Sequence, residues 1–169
     1  MQFLGMALVV SSTTLIGVYF GNIYSFRIRD LKEIRKALVI LKSEIEYSLM
    51  PIGQAASNIS EKLRHPISSI FLKFSNLLEK KVEPRLALQQ SFEKYKFDTY
   101  LTEEDTSQFN SLGKTLGYLD KNLQLNSIEI TIKYLEEKIN ELTALHIKNK
   151  KLYQTLGILA GVLIVVIMF

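Results

Sequence analysis

The sequence contains no cysteine and no tryptophan, and only two of its 169 residues are histidines. The absence of cysteine excludes disulfides, zinc-thiolate sites, cysteine nucleophiles and lipid attachment to a thiol. His65 and His146 are far apart in the chain and show no metal-ligand spacing, and no Gly-x-Ser-x-Gly motif occurs. Adjacent acidic pairs such as Glu103 and Glu104 point about 100° apart on a helix, which is typical of a solvated face. We therefore expect no enzyme activity, no cofactor and no metal.

Charge is also absent from both ends of the chain. No charged residue precedes Arg27, and none follows Lys151. Because about 20 apolar residues span a hydrocarbon core of about 30 Å, we predict one transmembrane helix at residues 1–25 and a second at 152–169. A cleaved signal peptide is disfavoured, since no basic residue precedes the first apolar run.

Lysine and arginine residues cluster on the inner flanks of these two segments. They are Arg27, Arg29, Lys32, Arg35 and Lys36 after the first, and Lys148, Lys150 and Lys151 before the second. Cytoplasmic flanks carry such an excess, so we expect residues 26–151 in the cytoplasm and both termini on the far side of the membrane. The net charge of +4 is then explained by topology and by attraction to the lipid bilayer, and we expect no nucleic-acid partner.

Apolar residues recur at helical spacing through the charged middle. A first stripe comprises Leu31, Ile34, Leu38, Leu41, Ile45 and Leu49, and a last one comprises Ile128, Ile132, Leu135, Ile139 and Leu142. Between them, Pro51, Pro66 and Pro84 are each expected to open a short helix, the third with Leu86, Leu88, Phe92 and Tyr95 inward. Thr102 and Asp105 predict a capping box that opens a fifth helix, carrying Phe109, Leu112, Leu116 and Leu119. The predicted fold is all-α: an antiparallel bundle of about six helices in the cytoplasm, flanked by one transmembrane helix at each terminus.

Six of the eight glycines occur in pairs four residues apart. The pairs are Gly17 with Gly21, Gly113 with Gly117, and Gly157 with Gly161. Two missing side chains one turn apart allow another backbone to approach closely, so we predict a helix-packing role for all six. In a soluble helix each glycine costs about 0.5 to 1 kcal/mol relative to alanine, which close packing or a helix end at Gly117 would explain.

The tripeptide Gly113-Lys114-Thr115 is also the end of a phosphate-binding loop, but the remainder of that motif is missing. The loop needs a glycine five positions earlier and a buried strand before it. Gln108 occupies that position and the preceding residues are polar. We therefore do not expect a nucleotide site.

Several segments together resemble the stage III sporulation protein AB family. They are "LKSEIEYSLMPIGQA", "FNSLGKTLGYLDKNLQ" and the final "LYQTLGILAGVLIVVI", joined to an apolar N-terminal segment, and they cover essentially the whole chain. The resemblance implies a mother-cell membrane protein of endospore-forming bacteria, needed for the channel between mother cell and forespore. The middle domain is similar to the cytoplasmic helical domains of the type II secretion inner-membrane platform protein, which sits against a hexameric ATPase. The implied partners are a secretion-type sporulation ATPase and other channel membrane proteins.

Two function classes follow from these observations. The first is a non-enzymatic platform or scaffold that couples the ATPase to membrane components, with partner contacts at Glu44, Glu46, Tyr47, Lys114, Thr115 and Asp120. The second is a membrane-tethered helical sensor or ligand-binding module that acts without an ATPase. Self-association of the chain through its glycine pairs is open under either hypothesis.

Overall fold

The computed structural model describes residues 2–48, 50–116 and 120–168, and within them it contains six α-helices and no strand. The helices are α1 (Gln2–Ser43), α2 (Ile52–Ser60), α3 (Ile67–Glu79), α4 (Pro84–Lys94), α5 (Glu103–Leu112) and α6 (Lys121–Met168). A π-helical turn at Glu44–Ser48 continues α1, and a 3-10 turn at Lys96–Asp98 follows α4. The all-α prediction is confirmed.

The starts of the short helices follow from local sequence. Pro84 is the first residue of α4, whereas Pro51 and Pro66 lie directly before α2 and α3. Neither the residue before a helix nor its first residue donates an intrahelical hydrogen bond, so proline costs none at these positions. The capping box of α5 is confirmed: the Asp105 N–H donates to the Thr102 hydroxyl at 3.4 Å, and the Thr102 N–H donates to the Asp105 carboxylate at 2.9 Å.

The described chain divides into two compact units. One unit is Arg29–Ile139, and the other combines the part of α1 up to Ile28 with the part of α6 from Asn140 onward. In the unit Arg29–Ile139, α2 packs on α3, α3 on α4 and α4 on α5. The phenyl rings of Phe92 and Phe109 stack there with their centroids 5.2 Å apart.

Two ion pairs show the relative direction of α1 and α6 within this unit. Arg35 of α1 binds Glu136 of α6, and Lys42 binds Glu129 at 2.5 Å. The two basic residues are seven apart, and so are the two acidic residues, but in the opposite chain direction. Helices α1 and α6 therefore run antiparallel to each other here.

Most of the predicted apolar stripes are buried. The buried members are Leu31, Ile34, Leu38, Leu41, Ile45, Leu88, Phe92, Phe109, Leu112, Leu116, Ile128, Ile132, Leu135, Ile139 and Leu142. Leu49 and Leu119 lie outside the described residues. The inward position of Leu86 is wrong: its side chain is exposed and Ala87 is buried instead. Leu86 is two residues from Leu88, and such residues point about 200° apart on a helix.

The second unit contains the uncharged parts of α1 and α6. Gly17 and Gly161 are buried, and the Ser12 hydroxyl donates to the Leu8 carbonyl at 2.8 Å, as expected for a hydroxyl within a helix. In the part of the chain that the structure describes, we find no helix with a stretch that is both long and apolar enough to cross a membrane.

Candidate partner-binding site

The first part of the candidate site is the π-helical turn at Glu44–Ser48. Ile45 is buried in the core, whereas Glu46, Tyr47 and Ser48 are exposed, Tyr47 with 78% of its surface. The Ser48 hydroxyl donates to the Glu44 carboxylate at 2.8 Å, which holds that carboxylate within the turn. π-Helical turns are frequent at functional sites, so this turn at the end of α1 is a candidate position for partner contact.

The second part is the turn that ends α5. We expected Gly113 inside the fifth helix, and this is wrong, because α5 ends at Leu112 and Gly113 is its C-cap residue. The Thr115 hydroxyl donates to the Leu112 carbonyl at 2.9 Å, and it lies 2.8 Å from the Ser127 hydroxyl of α6, which can donate to it. Thr115 is accordingly half-buried, while Lys114 is exposed beside it.

The third part is the start of α6. Asp120 directly precedes the helix, and its carboxylate accepts hydrogen bonds from the N–H groups of Asn122 at 2.8 Å and Leu123 at 3.3 Å. A side-chain oxygen in this position satisfies N–H groups that have no partner inside the helix. Asp120 therefore has a structural role as an N-cap, and it is still exposed to solvent.

One lysine connects the first and third parts. The Lys121 ammonium donates to the backbone carbonyl of Glu46 at 2.6 Å. This contact links the π-helical turn to the start of α6, while Thr115 contacts α6 at Ser127. We call the residues Glu44–Ser48, Lys114–Leu116 and Asp120–Leu123 the turn end of the bundle; it contains all six residues that the sequence nominated for partner contact.

An ion pair lies beside the turn end. The hydrogen bond from the Lys42 ammonium to Glu129 raises the pKa of Lys42 and lowers the pKa of Glu129. The negative charge of Glu46 also raises the pKa of Lys42. Sequence reasoning missed this pair and the pair formed by Arg35 and Glu136, although the matching seven-residue spacings were a signal.

The predicted packing glycines can be placed only in part. A Cβ atom on Gly113 would lie 2.9 Å from the Cα atom of Arg85, so the end of α5 approaches the backbone of α4 closely. Gly17 and Gly161 are buried, and their packing role stays a prediction. Gly117 lies outside the described residues. Gly21 and Gly157 lie within α1 and α6.

One further glycine escaped the sequence analysis. A Cβ atom on Gly53 of α2 would lie 3.4 Å from Leu78 of α3, and the Ser75 hydroxyl donates to the Gly53 carbonyl at 2.8 Å. Gly53 has no glycine four residues away, so the pairing rule could not identify it.

The arrangement offers binding surface rather than reaction chemistry. Gly113-Lys114-Thr115 follows the C-terminal end of α5, whereas a phosphate-binding loop precedes a helix and uses its N–H groups. Among the described residues, no group of three or more His, Asp or Glu side chains could hold a metal ion. The turn end instead presents the exposed aromatic ring of Tyr47, the exposed Lys114 and several carboxylates on a fixed backbone.

Three comparisons identify similar proteins. The sequence model of the stage III sporulation protein AB family matches residues 2–169. Stage III sporulation protein AB of Bacillus subtilis (strain 168) is 30% identical over 169 residues, which cover 99% of each chain. A solved structure of stage III sporulation protein AB is 28% identical, with a TM-score of 0.67, and the match covers 72% of this chain and 97% of that chain.

Proposed function

Because the chain belongs to the stage III sporulation protein AB family, a family of sporulation proteins, we propose that it is a non-enzymatic membrane platform of the mother cell–forespore channel. In this proposal the two uncharged ends anchor the chain in the mother-cell membrane. The bundle lies in the cytoplasm, and its turn end docks a secretion-type sporulation ATPase. The bundle then passes force or position from the ATPase to channel components in the membrane.

Membrane anchoring is supported by apolar side chains that are exposed among the described residues of α6. On α6 the exposed ones are Leu152, Leu156, Ile158, Leu159, Val162, Leu163, Ile164, Val166 and Ile167. Val162, Leu163 and Ile164 are consecutive, so their side chains point about 100° apart and together surround most of the helix. A helix that is apolar on all sides belongs in a lipid or protein interior, because in water this surface would cost about 25 cal/mol per Å².

Docking at the turn end is supported by its composition and its rigidity. Binding hot spots are enriched in tyrosine and arginine, and Tyr47 is the most exposed large hydrophobic side chain of this region. The Lys121 contact to Glu46, the Asp120 cap and the Thr115 contact to Ser127 fix the backbone on which these residues lie. A partner would therefore meet a surface that is already ordered, which reduces the entropy lost on binding.

The turn end is tested by one exposed-residue variant and one matched control. Tyr47→Ala removes the exposed aromatic ring, and Leu72→Ala removes an exposed apolar side chain of α3 outside the turn end. We expect Tyr47→Ala to lower the amount of sporulation ATPase that co-purifies from membranes by about tenfold, the effect of losing a hot-spot residue. Leu72→Ala should leave it unchanged.

Two results would contradict the proposal. Equal recovery of the ATPase with both variants would remove the turn end as its docking surface. Recovery of the chain in the aqueous fraction after lysis, with the bundle folded, would remove the membrane anchor. The two outcomes are independent, so each part of the proposal can fail separately.

A further inference from the structure

The loop between α4 and α5 presents the most exposed large apolar side chain among the described residues. We call residues 95–101 the Phe97 loop, because Phe97 has 97% of its surface exposed. The loop also contains Tyr95 and Tyr100, and Lys94 and Lys96 alternate with the first two aromatic residues. Tyrosine is enriched at membrane–water interfaces, and a lysine there can keep its ammonium in water while its stem covers apolar surface.

The Phe97 loop is held at one end of the unit Arg29–Ile139. The backbone N–H of Tyr100 donates to the carboxylate of Asp30 at 3.0 Å, and this carboxylate is buried. The N–H of Asp98 donates to the Tyr95 carbonyl at 3.0 Å, which supports the 3-10 turn that carries Phe97. A ring presented on an ordered backbone loses little conformational entropy when a partner covers it.

The contact with Asp30 ties the Phe97 loop to the start of the charged part of α1. Phe26 is the last residue of the uncharged N-terminal stretch, and Asp30 follows four residues later in the same helix, a rise of about 6 Å. The headgroup layer on each side of a bilayer is about 5 to 8 Å thick. With residues 1–25 in the membrane, Asp30 and the loop bound to it lie at the level of the lipid headgroups.

Charge contributes little to the surface of the Phe97 loop. The exposed carboxylates of Glu93, Asp98 and Glu103 lie in the loop or close to it in sequence, and the Lys96 ammonium is 3.7 Å from Glu103. These carboxylates offset Lys94 and Lys96, so the loop selects neither a strongly anionic nor a strongly cationic ligand. The apolar ring is the group that gains most from being covered, and acyl chains cover it without a complementary charge.

We propose that the Phe97 loop is a third membrane contact of the chain, in addition to its two uncharged ends. The Phe97 ring inserts between the headgroups into the outer acyl region, and Lys94 and Lys96 keep their ammonium groups among the headgroups. This inference rests on the membrane anchoring proposed above. Because α1 continues from Asp30 for about 20 Å to its end at Ser43, a bundle fixed at the Phe97 loop holds its turn end away from the bilayer, within reach of the ATPase.

Lipid contact at Phe97 is tested by fluorescence, because the chain has no tryptophan of its own. Phe97→Trp places a single reporter in the loop, and Tyr47→Trp places one at the turn end as the matched control; both side chains are mostly exposed, so tryptophan needs no repacking of the core. Each full-length variant is reconstituted in phosphatidylcholine vesicles, with or without bromine near the headgroup end of the acyl chains. Brominated lipid should quench Phe97→Trp and shift nothing in Tyr47→Trp, whereas acrylamide in the water should quench Tyr47→Trp more strongly.

Three results would overturn the loop contact. Quenching of Phe97→Trp by acrylamide but not by brominated lipid means that the ring stays in water. Shielding from both quenchers means that a second copy of the chain covers the ring. Equal quenching of both variants by brominated lipid means that the contact is not specific to the loop. Flotation of the vesicles separates these results from a failure of the anchor: a chain that does not float with the vesicles lacks the anchor, whereas a floating chain with an unquenched Phe97→Trp refutes the loop contact alone.

Discussion

Replacing Gly113 by alanine tests whether the close approach between α5 and α4 requires a glycine. The new Cβ atom would lie 2.9 Å from the Cα atom of Arg85 and 3.3 Å from the carbonyl oxygen of Asn110. Both contacts are with backbone atoms, so no side chain can rotate away to relieve them. The N-terminal turn of α4 has to move, or α5 has to end differently.

The size of the effect follows from two opposing terms. Forcing an extra methyl group into a packed site costs about 1 to 3 kcal/mol. Gly113 has φ −57° and ψ −23°, which alanine adopts without strain, so the substitution also restricts the unfolded chain and recovers about 0.4 to 1 kcal/mol. We expect a net loss of about 1 to 2 kcal/mol in the free energy of unfolding, and a melting temperature lower by about 2 to 8 °C.

Gly53→Ala provides the matched control in the same fold. Its Cβ atom would lie 3.4 Å from the Leu78 side chain, which is an ordinary contact, and alanine has a higher helix propensity than glycine at this position in the first turn of α2. Thermal unfolding of both variants, followed by circular dichroism on the full chain, should show Gly113→Ala destabilised and Gly53→Ala unchanged or stabilised. Amide hydrogen exchange should be faster in α4 of Gly113→Ala. If Gly113→Ala melts at or above the unmodified chain, the steric argument is wrong.

The remaining predictions concern the ion pair of Lys42 with Glu129, the buried carboxylate of Asp30, and the orientation of the chain in the membrane. Lys42 lowers the pKa of Glu129 below the ordinary 4.5, so the stabilisation from this ion pair should be complete above pH 4.5 and lost as the pH falls through the folded-state pKa of Glu129. Glu129→Gln should remove this pH dependence from an acid unfolding curve. Because the Lys42 pKa is raised above 10.5, the same stabilisation should persist at alkaline pH until the folded-state pKa is passed. Asp30→Ala should lower the free energy of unfolding by about 1 to 3 kcal/mol, since the Tyr100 N–H loses the buried Asp30 carboxylate as its acceptor, and urea denaturation measures this. Because the chain lacks cysteine, each cysteine variant carries a single thiol. Gln2→Cys should react with an impermeant maleimide from outside the cytoplasm, and Lys114→Cys should not. The reverse labelling pattern would refute the orientation.

The helices and much of the core could be predicted because they depend on local sequence. The spacing of Leu31 to Ile45 and of Ile128 to Leu142 repeats one face of a helix, and these residues are buried. The Thr102 box marks the start of α5 for the same reason, since its partners lie three residues apart.

Contacts between distant residues could not be predicted in this way. Tyr100 and Asp30 are 70 residues apart, and nothing in either segment indicates that one caps the other. The end of α5 was misplaced because apolar spacing continues through Leu116, while the turn at Gly113 depends on the approach of α4. The six nominated contact residues lie at one end of the bundle, but which of them a partner touches depends on that partner.

The two ion pairs between α1 and α6 have a consequence for alignment. Both positions are roughly 40% exposed, so water screens the charges and the pairs add little to stability. Sliding α6 by one heptad would still place Lys42 opposite Glu136, but Arg35 would then face Thr143 and Glu129 would lose its cation. Only the observed alignment pairs all four charges. The two ion pairs therefore select one register of α1 and α6, whereas the apolar faces of these helices alone would tolerate several.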